Sequence, residues 1–258
     1  MIWIILIGMI FTSACTKEKE EDLNDNIIEN NPTITVDLVS EFDWRDSSIV
    51  TPAKAQGSLG SCGVFAAMGA LESAIARESG VLVDLSEQHY INASDTWDPS
   101  TGVSPMTVFD FIKDNGIVIE SRLPYQARKT DELPTGDYDF TLSSYKVLAL
   151  ESMSASESRK AVKKVILEFG PIATAMDFMS DLDDYTGGVY VPGPNSEVQG
   201  GHWVVIVGWK DDSNVRNGGY WIIKNSNGSE WGENGCFKIP YTLCGLVRYV
   251  ITYPIYNN

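Results

Sequence analysis

Positive charge is scarce in this sequence. Its 258 residues include 19 Lys and Arg against 35 Asp and Glu, which gives a formal net charge of −16 at pH 7. A surface that follows nucleic-acid phosphates needs clustered Lys and Arg, and the chain contains no such cluster. It also lacks an internal repeat and an apolar run long enough to cross a bilayer comfortably. These absences argue against a nucleic-acid-binding protein, a repeat array and a membrane-spanning protein.

The N-terminus begins with a short apolar run, MIWIILIGMIF, followed by small residues before Cys15. This pattern resembles a bacterial lipoprotein signal, in which the cysteine is lipidated and becomes the mature N-terminus. It predicts a lipoprotein-type signal peptide over residues 1–14 and lipidation of Cys15. No Lys or Arg precedes the run, and Thr12 stands where an aliphatic residue is commoner. An ordinary signal peptide, or a short anchor with an unmodified cysteine, is therefore the alternative.

Residues 15–40 are polar and acidic, without a strong amphipathic period. Such a composition predicts a flexible tether rather than a folded element. The acidic run after Cys15 also resembles the surface-export signals of some Bacteroidota lipoproteins. We therefore expect an exported bacterial lipoprotein of the outer membrane or the cell surface, in contact with the membrane only through its lipid anchor.

The remainder, residues 41–258, predicts an α+β domain in which helices come first and strands later. Helical patterns begin at Cys62, after Ser86 and at Pro105, and one more follows Ser154 in a capping box with Glu157. The second half contains short β-branched and aromatic runs between turn residues. These runs are PIATAM, GGVYV, HWVVIVGW, GYWIIKNS, CFKIP and RYVITYP. We expect a helical lobe over about 41–135 and a strand-rich lobe over about 136–258, with the binding site in a cleft between them.

Cysteine and histidine are also rare, with four and two residues, so a nucleophile and its base have few candidates. Cys62 lies between a Gly/Ser loop and an apolar helix, while His202 begins an apolar strand after two glycines. His89 lies inside the second helix and is interpreted as a packing or surface residue. Asn225, at the end of another strand, could orient an imidazole, and the amide of Gln56 could donate to an oxyanion. Taken singly, each of these four residues also has an ordinary structural explanation.

The order Gln56, Cys62, His202, Asn225 resembles that of the papain-like cysteine peptidases. The resemblance includes the segments FDWRDSSIVTPAKAQGSLGSCGVFAA, LSEQ, LPY, GGHWVVIVGW, YWIIKNSNGSEWGENG and CGL, and it covers the chain from Glu41 onward. It implies a papain-like fold, with a helical lobe and a β-barrel-like lobe on either side of an active-site cleft. It further implies Cys62 as nucleophile, His202 as its base and acid, Asn225 as the group that orients His202, and Gln56 as an oxyanion donor.

By the same resemblance, four residues are expected to bind substrate: Gly102, Val103, Ala175 and Gly201. The small Ala175 and the uncharged Gly201 predict a roomy pocket that favours bulky apolar side chains. Val103 stands where the family often has a glycine, which predicts altered subsites on its side of the cleft. The partners are protein or peptide substrates, and the reaction requires no cofactor and no metal.

The sequence also departs from the family pattern. Leu59 and Ser100 stand where a disulfide is usual, and Ala93 replaces another common cysteine. Gly63 replaces the tryptophan after the nucleophile, and Asn227 replaces the tryptophan that shields the His–Asn hydrogen bond. Trp203 is a candidate to compensate for the second loss. Cys236 and Cys244 could form a local bridge or stay reduced.

These features predict a cysteine-type endopeptidase that acts through an acyl-enzyme. The alternatives are a catalytically weak relative that binds peptides and a transpeptidase that passes the acyl group to an amine. The segment between Cys15 and Phe42 is too short for an inhibitory propeptide, so no autoprocessing step is expected.

Overall fold

The computed structural model describes residues 38–246 and 251–256. The predicted signal peptide over 1–14, the lipidation site Cys15 and most of the 15–40 tether lie outside these residues. Within the described part of the chain, none of the helices combines the length and the apolar character that a membrane span requires.

Four α-helices and four single-turn 3-10 helices are present in the described ranges. The α-helices are α1 (Cys62–Ser79), α2 (Glu87–Ala93), α3 (Pro105–Asn115) and α4 (Ala155–Phe169). The 3-10 turns are Trp44–Ser47, Glu120–Arg122, Leu182–Asp184 and Arg216–Gly218.

Local capping explains where these helices begin and end. Ser86 caps α2 through the backbone N–H of His89, and Ser154 and Glu157 form the predicted reciprocal capping box of α4. Helix α1 ends at Gly80, whose left-handed φ of 74° suits a residue without a side chain. The helix boundaries predicted from sequence are confirmed at these positions.

Seven strands form one antiparallel sheet. They are β1 (Glu41–Asp43), β2 (Ser144–Leu148), β3 (Ile172–Met179), β4 (Val198–Asp211), β5 (Gly219–Lys224), β6 (Cys236–Pro240) and β7 (Ile251–Ile255). Their order is β2-β7-β3-β4-β5-β6, and β1 pairs with the far end of β4. The combination of helices and antiparallel sheet confirms the α+β class.

Two details of the sequence prediction are wrong. Strand β1 pairs with β4, so residues 41–43 lie on the sheet and not in the helical lobe. The run GGVYV forms no strand; Val189 makes only an isolated bridge to Lys238. Gly187 and Gly188 have φ values of 158° and 84°, which strand residues do not adopt.

Strand β4 separates two hydrophobic cores and thereby sets the geometry of the site. Its residues Val204 and Ile206 belong to the core shared with α4, whereas Val205 and Val207 belong to the core shared with α1, α2 and α3. Because side chains alternate along a strand, neighbouring residues at its start also face opposite sides.

Candidate active site

Cys62 is the first residue of α1, as expected, and its side chain is half-buried. Ser61 precedes it without a side-chain cap, so the first N–H groups of the helix remain free for another acceptor. The backbone N–H groups of Trp203, Gly63 and Cys62 itself act on the sulfur in the direction that favours the thiolate and lowers its pKa. Burial acts in the opposite direction and is the larger effect, so the pKa of the Cys62 thiol is raised.

His202 and Asn225 are joined by a hydrogen bond of 2.7 Å between Nε2 and Oδ1, and both are buried. The amide oxygen accepts, so Nε2 carries the proton and Nδ1 is left for proton exchange. Burial lowers the pKa of His202, while the bond to Asn225 and the negative charge of Asp183 act to raise it. A Cβ on Gly63 would lie 3.4 Å from Cδ1 of Trp203, so the residue after Cys62 packs against the residue after His202.

The oxyanion candidate Gln56 is held by both ends of its amide. Its Nε2 donates to the carbonyl of Leu59 at 2.8 Å, and its Oε1 accepts from the hydroxyl of Ser226 at 2.5 Å. The backbone N–H of Gln56 also donates to the carbonyl of Ser226 at 2.9 Å. Ser226 directly follows Asn225, so one turn fixes both the group that orients the imidazole and the oxyanion donor. Ser226 is not among the residues predicted from the sequence, although it belongs to the segment GYWIIKNS.

Tyr125, in the segment LPY, is a second residue of the site that was not predicted from the sequence. Its hydroxyl donates to the carbonyl of Gln56 at 2.8 Å and lies 3.0 Å from the Ser61 hydroxyl. Its ring packs edge-on against Phe65 of α1, with centroids 4.9 Å apart. Tyr125 therefore ties the loop that carries Gln56 to the start of α1.

Gly63 leaves no room for the tryptophan that the family places after the nucleophile. A Cβ atom at this position would lie 1.8 Å from the backbone carbonyl oxygen of Val103 and 3.4 Å from Cδ1 of Trp203. The Val103 carbonyl and the Trp203 ring thus occupy the neighbouring space. Trp203 faces the side of β4 opposite to His202, which makes it unsuitable to cover the His–Asn bond, contrary to our expectation.

The loop before Val103 is held against α1 without the family's disulfide. The indole nitrogen of Trp97 donates to the carbonyl of Gly60 at 3.2 Å. A Cβ on Gly60 would lie 2.3 Å from the carbonyl oxygen of Pro99. Ser100 instead forms hydrogen bonds with Asp98. Close backbone packing here replaces the covalent bridge.

The four predicted substrate-binding residues lie on one side of the site. Gly102 and Val103 belong to the loop packed on α1, and Gly102 has the left-handed φ of 69°. Ala175 and Gly201 project from the same face of the sheet, since Ala175 lies directly opposite Trp203 in the β3–β4 ladder. The indole of Trp203 thus stands between Ala175 and Gly63, which the sequence analysis did not foresee.

Phe178 packs against the imidazole of His202, on the face of the sheet opposite to Trp203. Its ring meets that of His202 edge-on, with centroids 5.3 Å apart and planes at 66°. Phe178 lies in β3 two residues from Met176, the ladder partner of His202, so it is a diagonal neighbour on the same face. Phe178 thus gives His202 an aromatic neighbour in a chain that has Asn227 where the family has tryptophan.

A buried network of charged and polar side chains holds the end of β5, directly before Asn225. Lys224, directly before Asn225, donates to the Thr51 hydroxyl at 2.7 Å, and Thr51 in turn donates to Glu72. Lys54 extends the network through Glu87, with Nζ and Oε2 2.7 Å apart. Removing one partner would leave an uncompensated buried charge, so the network fixes the strand end that carries Asn225.

The remaining candidates have structural roles. Cys236 and Cys244 are both free thiols, which decides between the two alternatives in favour of the reduced state. His89 is buried and stacks on Tyr138 at 5.3 Å, and burial lowers its pKa to about 4. Within residues 38–246 and 251–256, no group of three or more His, Cys, Asp or Glu side chains is arranged to hold a metal ion.

Similarity to known proteins identifies the family of this chain. The profile of the papain family cysteine proteases matches residues 38–253. Cathepsin 7 from Rattus norvegicus is 30% identical over 228 residues, which are 85% of this chain and 67% of that protein. Cathepsin L2 from Homo sapiens is 34% identical over 215 residues, which are 79% of this chain and 61% of that protein. The chain therefore belongs to the papain family of cysteine proteases.

Solved structures confirm the papain-like fold. The digestive procathepsin L 3 of the Tenebrio molitor larval midgut matches with a TM-score of 0.74 and 30% identity, over 90% of this chain and 75% of that one. Procathepsin L2 from the same midgut also gives 0.74, with 31% identity, over 92% of this chain and 76% of that one. Several of the curated relatives are longer, and the chain spans 61% of their length.

Proposed function

We propose that this protein is a cysteine peptidase that cleaves peptide bonds through a Cys62–His202–Asn225 triad. The observation that carries the proposal is the buried 2.7 Å bond between His202 and Asn225, formed next to Trp203, whose ring packs beside Gly63, the residue after Cys62. A nucleophile, a base and a third group that orients the base are the parts that acyl transfer needs.

In the proposed reaction, the Cys62 thiol passes its proton to Nδ1 of His202 and the sulfur attacks the substrate carbonyl carbon. The negative charge that develops on the carbonyl oxygen is stabilised by Nε2 of Gln56 and the backbone N–H of Cys62. His202 then protonates the departing amine as the C–N bond breaks, which leaves a thioester. Water attacks the thioester with His202 as base, so the acid is released and the thiol is restored.

The pKa shifts show which groups must assist the first step. Burial disfavours both the thiolate and the imidazolium, because each is a charged form in a desolvated site. The three N–H groups at the sulfur, the positive end of α1 and the attraction between the two charges act against this effect. The dominance of burial, which disfavours the thiolate and the imidazolium, is the observation that favours the second candidate, a peptide-binding relative with an inert thiol.

We further propose an endopeptidase that favours bulky apolar side chains in the pocket beside Ala175, where Trp203 adds an aromatic wall. We place the protein at the outer membrane or cell surface of a bacterium, anchored by a lipid on Cys15. Palmitate labelling that persists in Cys15→Ala would contradict the anchor. Cleavage sites confined to peptide termini would contradict the endopeptidase assignment.

The first test is the intact mass of the tether-free protein after reaction with an epoxysuccinyl inactivator of thiol proteases. We expect one adduct on the wild type, none on Cys62→Ala and much slower labelling of His202→Ala. Cys244→Ala is the matched control, because it removes a free thiol outside the triad and should label like the wild type. Labelling of the wild type no faster than a free thiol would favour the peptide-binding alternative.

Product masses distinguish hydrolysis from transfer to an amine. Digestion of a peptide with a low concentration of an added amino acid amide should give mainly hydrolysis products if water is the acceptor, since an acyl-enzyme partitions between water and amines. Transfer to the amide as the main product, despite the large excess of water, would identify a transpeptidase instead.

A further inference from the structure

The wall of the site beyond Asn225 carries a fixed carboxylate that the proposed reaction does not use. Asp183 accepts a hydrogen bond from Nδ2 of Asn227 on its Oδ1 at 3.1 Å, and its backbone carbonyl accepts one from the indole of Trp231 at 2.9 Å. The residue is exposed, and no described Lys or Arg forms an ion pair with it. Two anchors thus hold a solvent-facing negative charge in place.

This carboxylate lies close to the reacting imidazole. Asn227 comes two residues after Asn225, whose side chain holds His202. The charge of Asp183 is near enough to act on the pKa of His202, in the direction that favours the imidazolium. Asp183 is therefore fixed by the same turn that holds the group which protonates the leaving amine.

The carboxylate also lies on one definite side of the reacting pair. Val103, Gly63 and Trp203 fill the side of β4 that faces α1, where the acyl part of the substrate is expected. Phe178 and His202 lie on the opposite face of the sheet, where His202 bonds to Asn225 and Asn227, two residues on, bonds to Asp183. Because His202 protonates the amine that leaves, the first residue after the cleaved bond lies on the His202 side, where this turn holds Asp183.

We propose that Asp183 makes this site prefer a lysine or arginine as the first residue after the cleaved bond. The inference rests on the proposed peptidase function and specifies its substrates. A cationic side chain at that position can pair with Asp183, whereas an acidic side chain would be repelled. Because the carboxylate is exposed, solvent and salt screen the pair, and the expected preference is roughly three- to fivefold in kcat/KM over a neutral residue.

The test compares three quenched fluorescent peptides that differ only in the residue after the cleaved bond, which is Arg, Gln or Glu. The wild type is expected to cleave them in the order Arg, Gln, Glu. In Asp183→Asn the ratio of Arg to Gln should fall to about 1, and this ratio is the readout because removing the charge also acts on the pKa of His202 and can change both rates together. High salt should lower the ratio in the wild type but not in the variant.

Asp184→Asn is the matched control, because it removes an equal charge from the neighbouring exposed residue of the same 3-10 turn. It should retain the preference for Arg. An unchanged ratio in Asp183→Asn, or an equal loss in Asp184→Asn, would overturn the inference while leaving the peptidase assignment intact. If the wild type cleaves none of the three peptides and does not react with the inactivator, the proposed function fails and the inference fails with it.

Discussion

Gly63 and Asn227 both stand where the papain family usually has a tryptophan, but the structure compensates for the two losses differently. At Gly63 the space is closed by the backbone carbonyl of Val103 and by the ring of Trp203. At Asn227 the replacement is a half-buried polar side chain that bonds to Asp183, and Phe178 covers the imidazole from another strand.

The difference shows that the space of an absent side chain can be filled either by backbone atoms or by other side chains. Around Gly63 the backbone of Val103 occupies the space, so a tryptophan side chain cannot fit there without moving that backbone. Around Asn227 the side-chain partner is another side chain, Asp183, and the turn is held separately by the hydrogen bonds between Ser226 and Gln56. A site of the first kind should not tolerate restoration of the family residue, whereas a site of the second kind should.

Gly63→Trp should have the largest effect. The new Cβ alone would overlap the Val103 carbonyl, so either the loop or the start of α1 must move. Since a displacement of about 1 Å in a catalytic group can cost on the order of 100-fold, we expect kcat/KM to fall by at least about that factor. Kinetics with a neutral peptide and thermal unfolding check the result.

Gly63→Ala makes the same comparison with a single methyl group, and it too should lose most of its activity. Gly69→Ala is the matched control within α1, because its Cβ would meet its nearest neighbour at 3.4 Å, an ordinary contact. Wild-type activity of Gly63→Trp would show that the loop moves freely and that the first half of the comparison is wrong.

Trp203→Ala should come next, with a loss of stability. The ring packs against the core of the helical lobe and beside Gly63, so its removal leaves a cavity between the lobes. We expect the free energy of unfolding to fall by about 3 kcal/mol, as for other large-to-small core changes. Urea unfolding measures it, and Trp203→Phe should recover more than half of the loss. A destabilisation of less than about 1 kcal/mol would contradict this packing role.

Phe178→Ala should have a moderate effect on activity. The imidazole would keep its bond to Asn225 but lose an aromatic wall, and we expect kcat/KM to fall by about 5- to 10-fold. Because burial lowers the pKa of His202, exposing the ring to water should raise that pKa. The imidazolium would then persist to higher pH, and the alkaline limb of the kcat/KM profile should move upward.

Phe178→Leu is the control, because it retains an apolar side chain that still shields His202 from water. The alkaline limb of its kcat/KM profile should lie nearer to that of the wild type than the limb of Phe178→Ala. A lower rate without any displacement of the limb in Phe178→Ala would indicate that Phe178 acts only through the fold.

Features that depend on nearby residues were predictable from the sequence. The caps at Ser86 and Ser154 and the stop at Gly80 depend on interactions within four residues, and the structure has them as predicted. The strand predicted at GGVYV failed because two glycines adopt angles that the alternating pattern does not reveal.

Contacts between distant parts of the chain were not predictable. The bonds from Tyr125 and Ser226 to Gln56 join residues 69 and 170 positions apart, and no local pattern announces them. The placement of His202 next to Asn225 was anticipated only through the resemblance to the papain family. The position of Trp203 on the face opposite to His202 follows from strand alternation, and that rule could have excluded it as a shield in advance.

Asn227→Trp should have the smallest effect of these substitutions and therefore tests the second half of the comparison. The side chain is half-buried at the surface, and its backbone neighbours hold the turn independently of it. We expect cleavage of a neutral peptide to stay within about twofold of the wild type, because one surface hydrogen bond is lost and the turn is kept.

The loss of the bond between Asn227 and Asp183 should leave that carboxylate less well fixed, so the preference for Arg after the cleaved bond should weaken without a change in net charge. Asn227→Ala isolates the loss of the hydrogen bond from the addition of the ring, and the same three peptides measure both. If Asn227→Trp lowered kcat/KM as much as Gly63→Trp, neither position would have room for the family's tryptophan. The proposed difference between a position filled by backbone and a position filled by side chains would then be wrong.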